Sequence, residues 1–220
     1  MKRVAIIAVI ICAAQLFFAA MVFGQNGVIR ELSGVVELKR AGQTAFTPAK
    51  AGDAVSRDTV VSTGFKSTAL IVIGSTVITV RPLTRLTLQE ISATAGTETL
   101  NVSLQSGRVR VDVDPPPGTR ANMSVRGPTA TASVRGTSFE FDTREVKVQK
   151  GVVAFKGGRG GVRLISAGSS SKVDKDGKSS DPIVSNATEL LPPLPGGGDS
   201  LFQHDSSSTA GEFILDLTWG

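Results

Sequence analysis

Between Val28 and about Val173 apolar and polar residues alternate with period two, or fall in short apolar runs closed by glycine. Examples are Leu70-Ile71-Val72-Ile73, Val77-Ile78-Thr79-Val80, Val109-Arg110-Val111-Asp112-Val113, Phe139-Glu140-Phe141 and Val146-Lys147-Val148. Successive side chains of an extended strand point to opposite faces, so this alternation predicts strands with one buried face. Val, Ile and Thr dominate, and β-branched side chains suit a pleated, half-buried surface. Glycines at 34, 52, 64, 74, 107, 118, 136 and 151 supply the turns. No stretch here has the apolar spacing of an amphipathic helix. The pattern predicts an all-β domain over residues 28–175, built of short twinned strands as a solenoid-like roll or a two-layer sheet.

Internal echoes sharpen this picture. Gly34-Val35-Val36-Glu37-Leu38-Lys39 resembles Gly151-Val152-Val153-Ala154-Phe155-Lys156, and each is followed later by Ala-Gly, at Ala51-Gly52 and Ala167-Gly168. A second echo aligns Val72-Ile73-Gly74-Ser75 with Val134-Arg135-Gly136-Thr137, each reading as strand, glycine, hydroxyl, strand. Repeats of this kind predict stacked β-layers with glycine at the corners. Gly157-Gly158-Arg159-Gly160-Gly161 reads as a hairpin turn, because it lacks the Lys-Ser/Thr ending of a phosphate loop.

The pattern changes at both ends. Lys2 and Arg3 precede an apolar run over residues 4–23 that stops at Gly24-Gln25-Asn26, the layout of an export signal cleaved after Gly24 or after Ala20. The same run is long enough to anchor the chain in a membrane if it stays uncleaved. Residues 1–24 are therefore read as a signal peptide and the location as periplasmic or extracellular. Residues 176–212 are rich in Pro, Gly, Ser and charge and read as a linker or disordered tail. Residues 213–220 turn apolar again. Phe213, Ile214, Leu215, Leu217 and Trp219 are candidates either to dock back on the domain or to add a strand to a partner's sheet.

Composition leaves little room for a reaction. Cys12, the only cysteine, lies inside the apolar run, and His204, the only histidine, lies in the tail. A nucleophile–histidine pair needs a fixed imidazole, and transition-metal sites need Cys or His, so catalytic, metal and cofactor sites are expected to be none. Asp112 and Asp114 read as solvated acids at a strand end before Pro115-Pro116-Pro117. Asp174-Lys175-Asp176-Gly177 lacks the later ligands of a calcium loop. Removing residues 1–24 takes the formal charge from +5 to 5 − 2 = +3, a mild excess. With no Tyr and one Trp there is no stacking platform for bases, which speaks against nucleic acid. Arg81, Arg85, Arg108, Arg110, Arg126 and Arg135 would bind an anionic polymer such as a cell-wall glycan if they shared a sheet face. Otherwise they are charges that keep strand edges apart.

In family order, several blocks resemble the FecR family, named after the ferric citrate regulator. They are Ala51-Gly52-Asp53-Ala54-Val55, Val61-Ser62-Thr63-Gly64, Gly74-Ser75-Thr76-Val77, Leu104-Gln105-Ser106-Gly107-Arg108-Val109, Val134-Arg135-Gly136-Thr137-Ser138-Phe139 and Val146-Lys147-Val148-Gln149-Lys150-Gly151-Val152. The resemblance marks Gly74, Ser75, Arg135, Gly136, Thr137, Phe139 and Gly151 as motif residues of structural kind. It implies a β-roll, a periplasmic place, and a role in protein contact or signal relay with an envelope protein, without catalysis. Family regulators carry an anti-sigma segment before the membrane span. Here only Met1-Lys2-Arg3 precedes the apolar run, so a stand-alone exported form is expected.

Overall fold

The structure, a computed structural model, describes residues 26–94 and 96–184. These residues form strands and turns, with no helix among them. The first sheet contains β1 (Gly27–Ser33), β4 (Ala54–Val55), β6 (Thr68–Ile73), β7 (Thr76–Val80), β10 (Arg108–Val113), β13 (Ser138–Asp142), β14 (Glu145–Lys150), β17 (Ser169–Lys172) and β18 (Ile183–Val184). The second contains β2 (Val36–Lys39), β3 (Thr47–Pro48), β5 (Val60–Thr63), β8 (Arg85–Thr94), β9 (Thr97–Ser106), β11 (Arg120–Arg126), β12 (Ala130–Arg135), β15 (Val152–Gly157) and β16 (Arg163–Ser166). Each sheet has nine strands, in the orders β18-β17-β14-β13-β10-β7-β6-β1-β4 and β16-β15-β12-β11-β9-β8-β5-β2-β3.

The strict alternation of the sequence becomes alternation of burial. In β6, β7, β12 and β13 every second residue is buried. The inner faces of the two sheets form one hydrophobic core. Phe141 of the first sheet meets Phe155 of the second edge to face, with centroids 6.4 Å apart and planes at 71°. The two-layer alternative is thus the architecture seen.

The chain lays a hairpin in one sheet and crosses to the other, as in β6-β7, β8-β9, β11-β12 and β13-β14. β10 breaks this rhythm by crossing alone. One strand instead of two reverses the direction of the next hairpin, so β11 lies parallel to β9, the single parallel pair among the described strands.

The first echo is structural, and it closes both ends of the stack. Gly34 and Gly151 both sit at positive φ, 75° and 81°, where the chain leaves the first sheet (β1, β14) for the second (β2, β15). Each copy then adds one neighbour in the second sheet, β3 or β16, and returns through Gly52 or Gly168 to pair with the strand it left. The second echo fails. Gly74-Ser75 turns a hairpin within the first sheet, whereas Gly136-Thr137 crosses from the second sheet to the first.

Residues 176–184, read as the beginning of a linker, are instead part of the fold. Ser179 bridges Val173, the Ser171 hydroxyl donates to Ser180 O at 2.8 Å, and β18 pairs with β17. Their polar side chains are used for backbone pairing, which composition cannot distinguish from a solvated tail.

Candidate interaction edge and motif corners

The motif residues build corners. Thr137 is fully buried, and its Oγ1 lies 3.3 Å from both Arg135 O and Val152 O, the latter just past Gly151. A Cβ on Gly151 would come within 3.0 Å of that hydroxyl. Two further corners repeat the arrangement. The Ser67 hydroxyl bonds Phe65 O and accepts from Val35 N–H at 2.8 Å, beside Gly34. The Thr84 oxygen lies 3.3 Å from Pro82 O and accepts from Arg108 N–H at 3.0 Å, beside Gly107. In all three, a buried hydroxyl ties the carbonyl two residues back to the backbone just beyond a left-handed glycine.

The residue before each hydroxyl also has positive φ: Lys66 at 52°, Leu83 at 56° and Gly136 at 59°. An L-residue pays about 1–2 kcal/mol for that conformation, and glycine escapes most of it. The corner geometry therefore explains Gly136 directly. Ser67 and Thr84 were missed by the sequence reading because Lys66 and Leu83 stand where the motif has glycine.

Gly74-Ser75 is held differently. One carboxylate oxygen of Glu98 accepts from Ser75 N–H at 2.9 Å and from Ser75 Oγ–H at 2.6 Å. A Cβ on Gly74 would collide with that carboxylate at 2.6 Å. Glu98 comes from the other sheet, and no local signal in the sequence pointed to it. Phe139 is a fully buried core residue, and Arg135 donates to Asn122 Oδ1 at 3.1 Å on the outer face of the second sheet.

The arginines do not share a face. Arg108 and Arg110 stand on β10 of the first sheet, where Arg108 faces Glu140 and Asp142 at 3.6 Å each and Arg110 bonds Asp112 at 3.1 Å. Arg126 and Arg135 are on the second sheet, and Arg85 lies 5.3 Å from the centre of the Phe46 ring. Period two alone could not reveal this, because it does not say which sheet a strand joins. Asp114 is solvated beside Lys150, and Asp174 accepts from Asp176 N–H and Lys178 N–H as a turn. Among the described residues no group of three His, Cys, Asp or Glu side chains could hold a metal. No helix among them is long and apolar enough to cross a membrane.

The two ends of the stack differ. At one end the outermost strands, β3 and β4, are two residues each, and β3 carries Pro48, which has no N–H to offer. At the other end β18 of the first sheet is again two residues, but β16 of the second is four residues long, with β15 as its one strand neighbour among the described residues. Leu164 is 67 % exposed there, flanked by exposed Val152 and Val162. A groove of about 410 Å³ runs inward from Leu164 over Ala154, Ser133 and Asn101 on the outer face. Its floor is low because Ala154, Ser133 and Ser124 are opposite one another in register. Arg163 fixes the start of β16 through Ser179 O at 2.8 Å and an ion pair with Asp181. The tail candidates Phe213, Ile214, Leu215, Leu217 and Trp219, and residues 1–24, lie outside the described residues.

No curated protein matches the chain. Two crystal structures of a candidate anti-sigma factor from Parabacteroides distasonis ATCC 8503, at 1.65 and 2.50 Å, are similar to it at 16 % identity and a TM-score of 0.49. The similarity covers 60 % of this chain and 62 % of that one, so the chain spans less than two thirds of that protein. Residues 59–163 match the family model described as FecR protein, a stretch that runs from just before β5 to the first residue of β16. Over these residues the chain matches a FecR domain.

Proposed function

We propose that this chain is an exported, non-enzymatic FecR-domain protein that serves as a protein-interaction or signal-relay module of the cell envelope, engaging an envelope protein through the β16 edge. The observation that carries the reading is the unequal treatment of the two ends. A free edge strand invites pairing by another chain, and natural sheets blunt such edges with short strands and proline. One end here has both devices. The other presents a longer strand with Leu164, Val152 and Val162 exposed beside it. Strand addition draws affinity from main-chain hydrogen bonds and specificity from side chains seated in adjoining grooves. The FecR match over residues 59–163 supports a regulatory or relay role, and the signal-like residues 1–24 support export. The glycan reading loses its basis with the arginines divided between two sheets.

A photo-reactive residue at position 164 of the full chain, exposed to envelope extract, is expected to cross-link a protein that is not cross-linked from position 114. Leu164→Lys places a charge on the edge and is expected to abolish this capture while leaving the unfolding midpoint unchanged. Capture that survives Leu164→Lys, or that depends instead on residues 185–220, would move the contact away from β16.

A further inference from the structure

Val35, Phe65 and Leu83 come from three separate turns and meet at one end of the sheets. Gly64 joins them, donating its N–H to Val35 O at 2.9 Å and accepting from Leu83 N–H at 3.1 Å. All three are largely exposed, at 65 %, 73 % and 62 %. The position of Leu83 is the unusual one. It occupies the left-handed site of a corner that the same chain builds with glycine at Gly136. A leucine there is strained in its backbone and excluded from the core, so neither local geometry nor packing explains the side chain.

Exposure and charge indicate what it meets. The trio stands exposed on loop tips, where its side chains can enter a deformable apolar phase. Lys66 and Arg81 flank it, and no carboxylate among the described residues forms an ion pair with either. Turns 64–67 and 81–84 contain no Asp or Glu. The Lys66 ammonium lies 5.6 Å from the Phe65 ring centre, so cation and apolar tip form one unit. Apolar side chains beside basic ones are the features that hold a protein at an anionic bilayer surface. We infer that this end of the fold rests on an anionic lipid surface. Val35, Phe65 and Leu83 enter the boundary between headgroups and acyl chains, and Lys66 and Arg81 lie against the phosphates.

The test uses the full chain with Cys12→Ser and one new cysteine carrying an environment-sensitive dye. The cysteine replaces Leu83 or, as a control at the opposite end of β10, Asp114. Both chains carry the same apolar run over residues 4–23, so its effect is common to both. With vesicles of phosphatidylglycerol and phosphatidylcholine the dye at 83 is expected to shift to the blue and the dye at 114 to stay unchanged. Phosphatidylcholine alone should give a smaller shift at 83. Lys66→Glu should lower the lipid-embedded fraction of the dye at 83 about fivefold or more. In a chain labelled through Phe65→Cys, Leu83→Gly should preserve the fold and weaken the shift. No shift at 83 with the anionic vesicles overturns the inference, as does an equal shift at 83 and 114. A concentration-dependent shift at 83 without vesicles also overturns it, and makes a second copy of the chain the partner.

Discussion

The corner glycines separate two costs at single residues. Gly42, Gly151 and Gly107 all have positive φ, but a Cβ meets nothing within 4 Å at Gly42, Thr137 Oγ1 at 3.0 Å at Gly151, and both Thr84 Oγ1 and Thr84 Cα, the latter at 2.5 Å, at Gly107. Gly42→Ala therefore reports the dihedral alone and should cost about 1 kcal/mol. Gly151→Ala should cost more, because the buried hydroxyl must give way. Gly107→Ala should cost most, about 3 kcal/mol or more, because the obstacle includes backbone. Urea unfolding of the three variants checks the order, and equal midpoints would mean that the corners relax freely. Of these features the sequence displayed Gly136, Thr137 and Gly151, which stand together as a motif. It hid Ser67 and Thr84, whose equivalent turns carry Lys66 and Leu83 where glycine would have shown them.

Among the elements, the β6-β7 hairpin depends on a residue far away in sequence. Glu98 of β9 accepts both hydrogen bonds offered by Ser75. Glu98→Ala leaves those donors to solvent and should cost about 1–2 kcal/mol, with Glu98→Gln costing less because it keeps an acceptor. Equal loss for Ala and Gln would assign the effect to charge. Strand existence was legible nearly everywhere, since half-buried strands leave a period-two record. Sheet membership was not. Arg108-Val109-Arg110 and Val134-Arg135 look alike as strings, yet they lie in opposite layers. The candidate edge β16 was equally hidden, because Val162-Arg163-Leu164 becomes an edge only by its place in the strand order.

At the scale of the whole molecule, the described residues rest on one core shared by two sheets, and the phenylalanines join them. Phe141 and Phe155 are fully buried and touch across the layers. Phe155→Ala removes a large side chain from between packed faces and should cost about 3–5 kcal/mol. Since both sheets line the same core, the loss should appear as one cooperative transition followed by circular dichroism. Two separate transitions would mean that the sheets hold independently.

By itself the sequence determined that the described chain is all β, where most strands lie, which glycines turn corners, and the match to a FecR domain over residues 59–163. These properties are local: period two, β-branched residues and short motifs act within a few positions of the chain. Only the tertiary structure decided that the Gly34 and Gly151 echoes cap opposite ends of one stack. It also divided the arginines between two layers, drew residues 176–184 into the fold, and gathered Val35, Phe65 and Leu83 at one tip. Those outcomes depend on which sheet each strand joins. That choice is made by burying all the apolar faces together, a condition on the entire chain that no short segment records.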